Sequence, residues 1–154
     1  VIGLDGSLGP FRPGMTPAQV QAAIVSSGLK DMSLTTATLC ETTYRVLLKG
    51  TGSVLGKGTG SEAALIGVIN ADSGKLDWIF PPKNATISGL GVGSTVSAFK
   101  SRFGAAYTIK SYAGIDLRSG VRLQIQNEYS MDPTKASTLV LIAPGFHEHV
   151  GEWC

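Results

Sequence analysis

Charged residues are scarce in this sequence, and neither sign dominates. They make up 16% of the 154 residues, and 13 lysines and arginines against 11 aspartates and glutamates give a formal net charge of +2. A field this weak does not favour binding to nucleic acid or to an anionic membrane, because both depend on neutralising many phosphates. We therefore expect no nucleic-acid partner.

Long apolar runs are also missing. Glycine, serine, threonine or a charge interrupts every run before the roughly 20 residues that a membrane-spanning helix needs, so the sequence predicts no transmembrane segment. Hydrophobic residues still make up 43% of the chain, which is typical of a sequence that folds. The length suits one compact domain over residues 1–154, or two small repeats that share a core.

The sequence has no segment that resembles a signal peptide. It begins at Val1 without an apolar stretch, so we expect that any targeting peptide has already been removed. Few lysines and glutamates beside many glycines, serines and threonines are typical of exported proteins. The sequence therefore predicts a secreted or cell-envelope protein, and association with the envelope stays open.

Only two cysteines are present, Cys40 and Cys154. A free thiol on the last residue would be exposed to oxidation and to intermolecular pairing. A Cys40–Cys154 disulfide would avoid this, and in the chain-entropy account it would contribute roughly 4–5 kcal/mol and require an oxidising compartment. The alternative is one buried structural thiol and one incidental terminal thiol.

Two segments carry helix signals. In the first, Thr16 can cap a helix that begins at Pro17, and Gln19 is placed for a capping box. In the second, Ser94 or Thr95 can cap a helix with apolar residues at helical spacing. Strand-like segments follow each of them: 42–48, 63–70 and 76–80 after the first, and 107–112, 121–128 and 138–143 after the second, with a possible edge strand at 146–153.

This order of signals occurs twice. An offset of about 79 residues superposes the second cap on the first, which predicts tandem pseudo-repeats at about 9–82 and 87–154. The sequence therefore predicts an α+β fold of two helix-plus-antiparallel-sheet units, with each helix packed on one sheet face. A doubly wound parallel sheet is disfavoured, because it needs helices between successive strands and only two helices can be identified.

Residues 14–20 carry a resemblance to a known family. Their sequence, Gly-Met-Thr-Pro-Ala-Gln-Val, resembles the Gly-Met-Thr/Ser-x-x-Gln/Glu-Val signature of the β-lactamase-inhibitor-protein-like and small outer-membrane-assembly-lipoprotein superfamily, as found in secreted actinobacterial proteins of unknown function. The resemblance implies duplicated helix-plus-antiparallel-sheet units. The second unit lacks the Met and the Gln or Glu, and neither unit has a local cysteine pair, so inhibition of β-lactamases is not carried over.

His147 and His149 are the candidate metal ligands. Side chains at i and i+2 on a strand share a face, and two imidazoles can bind Zn²⁺ or Cu²⁺. A closed site needs further ligands, for which Glu152 and a reduced Cys154 are available. A solvated polar tail is the preferred interpretation, so we predict no metal and no cofactor.

Motifs for catalysis are missing. The sequence contains no Gly-x-Ser-x-Gly elbow, and both of its histidines lie in the tail. The glycine-rich segment 50–60 does not match a phosphate-binding loop, because Gly58 stands where that motif needs Ser or Thr. Carboxylates remain available for acid–base catalysis, so a hydrolase stays an alternative, but the sequence favours a protein that is not an enzyme.

Aromatic residues are few, yet several fall in or beside the predicted strands. Tyr44, Trp78, Tyr112 and Tyr129 are the candidate binding residues, because one face of an antiparallel sheet can stay open and Tyr and Trp are strong interface anchors. Alternatively, they fill the core beneath the helices. The sequence favours an exported, non-enzymatic binding or inhibitory protein that holds a protein partner through an open sheet face or its loops. A small-molecule carrier with an apolar pocket between helices and sheet is a further alternative.

Overall fold

The computed structural model describes residues 1–39, 42–50, 64–110, 112–126 and 134–144. Both helices begin at predicted caps. α1 (Pro17–Ser26) follows Thr16, whose Oγ1 accepts a hydrogen bond from the Gln19 N–H at 3.2 Å, while Gln19 Oε1 accepts one from the Thr16 N–H at 2.9 Å. α2 (Val96–Phe103) follows Thr95, which caps it in the same way. The caps satisfy backbone donors that the first helical turn leaves without partners.

The strands form one large antiparallel sheet and one small ribbon. They are β1 (Met32–Leu39), β2 (Thr42–Lys49), β3 (Ala64–Ile69), β4 (Leu76–Ile79), β5 (Thr86–Ile87), β6 (Leu90–Gly91), β7 (Tyr107–Ile109), β8 (Ala113–Asp116), β9 (Arg122–Gln126) and β10 (Thr138–Ile142). The large sheet has eight strands in the order β1-β2-β3-β4-β10-β9-β8-β7, and β5 pairs with β6 apart from it. Successive strands therefore lie side by side in each half of the sheet.

The two halves of the sheet meet at β4 and β10. Each half is a four-stranded meander that follows one helix in the chain, and the antiparallel pairs Ile79–Leu141 and Trp78–Ile142 join the halves. The predicted α+β class, with two α-helices and a large antiparallel sheet, is confirmed. The tandem repeat and the domain boundaries stay predictions.

Among the described residues each half contains four strands, whereas the sequence predicts three after each helix and an edge strand at 146–153, which lies outside the described residues. In the first half, β1 alternates apolar and hydroxyl residues, but the alternation changes phase at Thr35 and Thr36, which weakens the strand signal in the sequence. In the second half, the predicted strand 107–112 corresponds to β7, which ends at Ile109, and β8 is an additional strand that the sequence analysis did not predict.

The helices cover one face of the sheet. Val20 of α1 and Phe99 of α2 belong to a core cluster with buried sheet residues that include Leu47, Leu76, Ile79, Leu123 and Leu141. Because side chains alternate along a strand, their neighbours face the opposite side, which neither described helix covers and which we call the helix-free face. There a second buried cluster contains Val46, Leu48, Val68, Trp78, Val140 and Ile142. Neither helix in the described ranges is long and apolar enough to cross a membrane.

Candidate functional site

A cleft of about 860 Å³ opens where the seam between the two half-sheets ends. Residues 12–15 and the first turns of α1 form one wall. The turn between β3 and β4 forms another wall with Ser73 and Lys75, and Ala143 and Pro144 close the end of β10. Asp77 of β4 lies in the lining, and we call this site the Asp77 cleft.

The loop before α1 is attached to β4 by backbone hydrogen bonds. The Gly14 N–H donates to the carbonyl of Leu76 at 2.7 Å, and the Leu76 N–H donates to the carbonyl of Met15 at 2.8 Å. The capping box then starts α1 directly after this contact. The Gly-Met-Thr motif therefore builds one wall of the cleft as well as the beginning of the helix.

Asp77 occupies its position because of a β-bulge. Val68 pairs with Trp78 and Ile69 pairs with Leu76, so Asp77 is the extra residue of β4 between two paired positions. Its backbone carbonyl accepts a hydrogen bond from the Ala143 N–H at 2.8 Å, which ties the bulge to the end of β10. The bulge thus places a charged side chain inside an otherwise apolar strand and aims it at the cleft.

The Asp77 side chain is nearly enclosed, with 3% of the residue exposed. Ser73 Oγ donates a hydrogen bond to Asp77 Oδ2 at 2.7 Å and accepts one from the Lys75 N–H at 3.1 Å. Within the described chain no donor reaches Asp77 Oδ1. Burial raises the pKa of Asp77 above the ordinary 3.8, against the opposing effects of the Ser73 hydrogen bond and the Lys75 charge.

Two cations lie near the rim of the cleft. The Lys75 side chain is exposed on the β3–β4 turn, and Arg12 Nη1 lies 3.9 Å from Asp5 Oδ2. Among the described residues that line the cleft, Asp77 is the only carboxylate. The site therefore offers one buried acceptor at depth and cationic donors near its mouth.

A second, smaller cleft is lined mainly by apolar side chains. Its volume is about 490 Å³, and it lies between the N-terminal loop, the turn after α1 and the ends of β2 and β3. Leu8, Phe11, Leu29, Met32 and Ile66 supply most of its walls. We call it the apolar cleft.

A buried arginine organises the far end of the sheet. Arg122 Nη1 donates to Asp116 Oδ1 at 2.8 Å and to Thr108 Oγ1 at 2.6 Å, while Nη2 donates to the carbonyls of Thr108 and Tyr112 at 3.1 and 2.9 Å. Gly114 leaves room for the guanidinium, because a Cβ there would lie 2.8 Å from Arg122 Cζ. These bonds join β7, β8 and β9, so this cluster has a structural role.

The structure separates the predicted binding residues. Tyr44 and Trp78 belong to the same cluster on the helix-free face, where Trp78 keeps only 7% of its surface exposed. Tyr112 lies in the turn between β7 and β8, in the other half of the sheet, and Tyr129 lies outside the described residues. Their role in binding stays a prediction.

The predicted disulfide and the candidate metal ligands involve residues that the structure does not describe. Cys40, Cys154, His147 and His149 lie outside the described residues. No three His, Cys, Asp or Glu side chains within the described ranges come together in a way that could hold a metal ion.

Sequence reasoning did not identify Asp77. The available signal was a single carboxylate between Leu76 and Trp78 in a strand that is otherwise apolar. A carboxylate in that position must either reach solvent or be held by polar neighbours.

Comparison with known proteins identifies no relative. The chain matches no model of a protein family, no curated protein and no solved structure. The resemblance carried by residues 14–20 stays a prediction.

Proposed function

We propose that this chain is an exported, non-enzymatic binding protein that holds a protein partner at the Asp77 cleft. The observation that carries the proposal is the Asp77 carboxylate, which is 3% exposed, lines the cleft and has only Oδ2 engaged by Ser73. Asp77 Oδ1 is not among the buried side-chain atoms that lack a partner, so it keeps access to solvent in the cleft, where a donor from a partner can replace water. Export rests on composition alone.

Binding is favoured over hydrolysis by the composition of the cleft. Acid–base hydrolysis of glycosides requires two carboxyl groups, and Asp77 has no second carboxylate beside it among the described lining residues. Ser73 Oγ is held by its hydrogen bond to Asp77 Oδ2. The same polar groups suit recognition.

The loops around the Asp77 cleft are better suited to binding a partner than the helix-free face is. Val46, Val68 and Val140 at the centre of the helix-free face are almost wholly buried, which leaves little of that face to contact a partner. The Asp77 cleft, in contrast, is bordered by a loop, a turn and the end of a strand. We infer a partner that presents a hydrogen-bond donor to Asp77 and acceptors to Arg12 and Lys75.

Capture with paired variants tests the proposal. Immobilised wild-type protein, Asp77→Asn and the control Asp72→Asn are exposed to the medium and envelope fraction of the source cells. Asp72 is exposed on the turn that precedes β4 and does not line the cleft. We expect a protein that binds the wild type and Asp72→Asn alike, and binds Asp77→Asn about tenfold more weakly or worse. Retention of the same proteins by all three would contradict the assignment of the site.

The apolar cleft supports a second candidate, a carrier of small apolar molecules. Its lining is dominated by Leu8, Phe11, Leu29, Met32 and Ile66, as expected of a ligand pocket. Titration with a fluorescent fatty acid tests this directly, with Phe11→Ala as the cleft variant and the exposed Val25→Ala as the control. Saturable binding that only Phe11→Ala weakens would support a carrier, and the absence of saturable binding to the wild type would exclude this ligand class.

A further inference from the structure

One edge of the large sheet is long, and no other described strand lies beyond it. β1 ends the sheet and pairs along all eight of its residues with β2. Within the described chain, no backbone hydrogen bond reaches Met32–Leu39 from any segment other than β2. Alternate residues of an edge strand direct their N–H and C=O groups outward, so this edge offers a regular row of donors and acceptors.

β1 lacks the features that normally protect such an edge. Met32–Leu39, Met-Ser-Leu-Thr-Thr-Ala-Thr-Leu, contains no charged residue and no proline, and its pairing with β2 has no bulge. Proteins usually prevent edge pairing with charges, prolines, bulges or very short strands. The opposite edge shows the contrast, because β7 has only three residues and is followed by Lys110.

The side chains of β1 are compatible with a second copy of the same strand. Ser33, Thr35, Thr36 and Thr38 are exposed, and hydroxyl-bearing residues tolerate identical partners across an antiparallel pair. Thr38 Oγ1 already lies 3.1 Å from Thr43 Oγ1 of β2, which shows such a cross-strand contact within the chain. A two-fold axis through the middle of β1 would bring no like charges together.

We propose that two copies of this chain associate through β1. The two β1 strands pair antiparallel about a two-fold axis, and the eight-stranded sheets become one continuous sheet. A second copy fits this edge because it supplies a strand of the same length, with the same lack of charge and the same exposed hydroxyls. The Asp77 cleft involves β4 and β10 at the centre of the sheet, so the Asp77 cleft of each copy remains accessible in the dimer.

Sedimentation over a range of concentrations tests the association. We expect the wild type to shift from monomer to dimer as its concentration rises. Thr35→Lys places like charges near the two-fold axis and is expected to weaken the dimer about tenfold or more. Ile109→Lys is the control, because Ile109 is 70% exposed on the opposite edge and its substitution should leave the dimer unchanged.

Hydrogen exchange on the unmodified protein provides a second readout. Amides within Met32–Leu39 should exchange more slowly in the concentrated, dimeric sample than in the dilute one, whereas amides of β7 should not change. A wild type that stays monomeric, a dimer without protection at β1, or equal weakening by Thr35→Lys and Ile109→Lys would each overturn the proposal.

Discussion

Asp77 is a carboxyl group whose ionisation opposes folding. Burial raises its pKa above the ordinary 3.8, so the folded state holds this proton more tightly than the unfolded chain does. The contribution of the protonated Asp77 to the free energy of unfolding is fully present below pH 3.8. It is lost as the pH rises through the folded-state pKa. We therefore predict that Asp77→Asn is more stable than the wild type at pH 7 and that the difference shrinks towards pH 4.

Urea unfolding at pH 7 and pH 4 measures this difference. Asp72→Asn, at an exposed position on the turn that precedes β4, is the control and should match the wild type at both pH values. If Asp77→Asn is less stable than the wild type at pH 7, the Ser73 hydrogen bond and the Lys75 charge stabilise the carboxylate by more than its burial costs, which would contradict the prediction.

Gly6 is required both for its backbone conformation and for its lack of a side chain. Its φ is +84°, and a Cβ at this position would lie 2.4 Å from Val121 Cγ1 in the core. We predict that Gly6→Ala lowers the free energy of unfolding by about 3 kcal/mol, because strain from overpacking adds to the cost of a positive φ. Thermal melts of Gly6→Ala and the control Gly9→Ala separate these effects. Gly9 has φ +57° with nothing within 4 Å of its Cβ position, so about 1 kcal/mol is expected there.

At the scale of secondary-structure elements, Arg122 holds three strands together and depends on Asp116. Burial tends to raise the pKa of Asp116, but hydrogen bonds from Arg122 and Thr108 and the charges of Arg122 and Lys110 lower it below 3.8 overall. Because the folded-state pKa is depressed, the stabilisation is present above pH 3.8 and is lost as the pH falls through the folded-state value.

We predict that Asp116→Asn lowers the free energy of unfolding by about 1 kcal/mol at pH 7. Asp116 is 43% exposed, so solvent screens the ion pair, but its charge still offsets an arginine that is nearly buried. Urea titrations at pH 7 and pH 2.5 should show the gap between variant and wild type closing in acid, with the exposed Asp31→Asn as a control at both values. A gap that is unchanged at pH 2.5 would point to packing instead of charge.

An element could be predicted from the sequence when the residues that specify it lie close together in the chain. The start of α1 follows from Thr16, Pro17 and Gln19 because capping involves residues three positions apart. β1 escaped prediction because its threonines serve an edge strand and not an apolar core. Asp77 escaped prediction because its environment depends on a bulge and on β10, whose position beside β4 no local pattern specifies.

At the scale of the whole molecule, the seam makes the two half-sheets depend on each other. Leu141 of β10 is fully buried and pairs with Ile79 of β4, and both belong to the same core cluster as the helices. We predict that Leu141→Ala lowers the free energy of unfolding by about 3 kcal/mol, through lost burial and the cavity that remains. Because the core is shared, β2 and β9 should still unfold in one transition.

Hydrogen exchange along a urea series follows the two halves separately. Amides of β2 report on the first meander and amides of β9 report on the second. In Leu141→Ala, the urea concentrations at which the two sets of amides lose protection should decrease together. Leu34→Ala, at a half-buried position of β1, is the control and should cost about 1 kcal/mol. Separate midpoints for the two strands would mean that the halves fold as independent units.

The seam also bears on how the chain folds as it is synthesised. β4 emerges from the ribosome well before β10, its neighbour across the seam, because α2 and the other three strands of the second meander are translated in between. During that interval the nascent chain presents an apolar strand edge of the kind that pairs with other chains. The first meander therefore waits for its partner strand, and slow translation or a shortage of chaperones during this interval would lower the yield of native protein without altering the stability of molecules that complete the sheet.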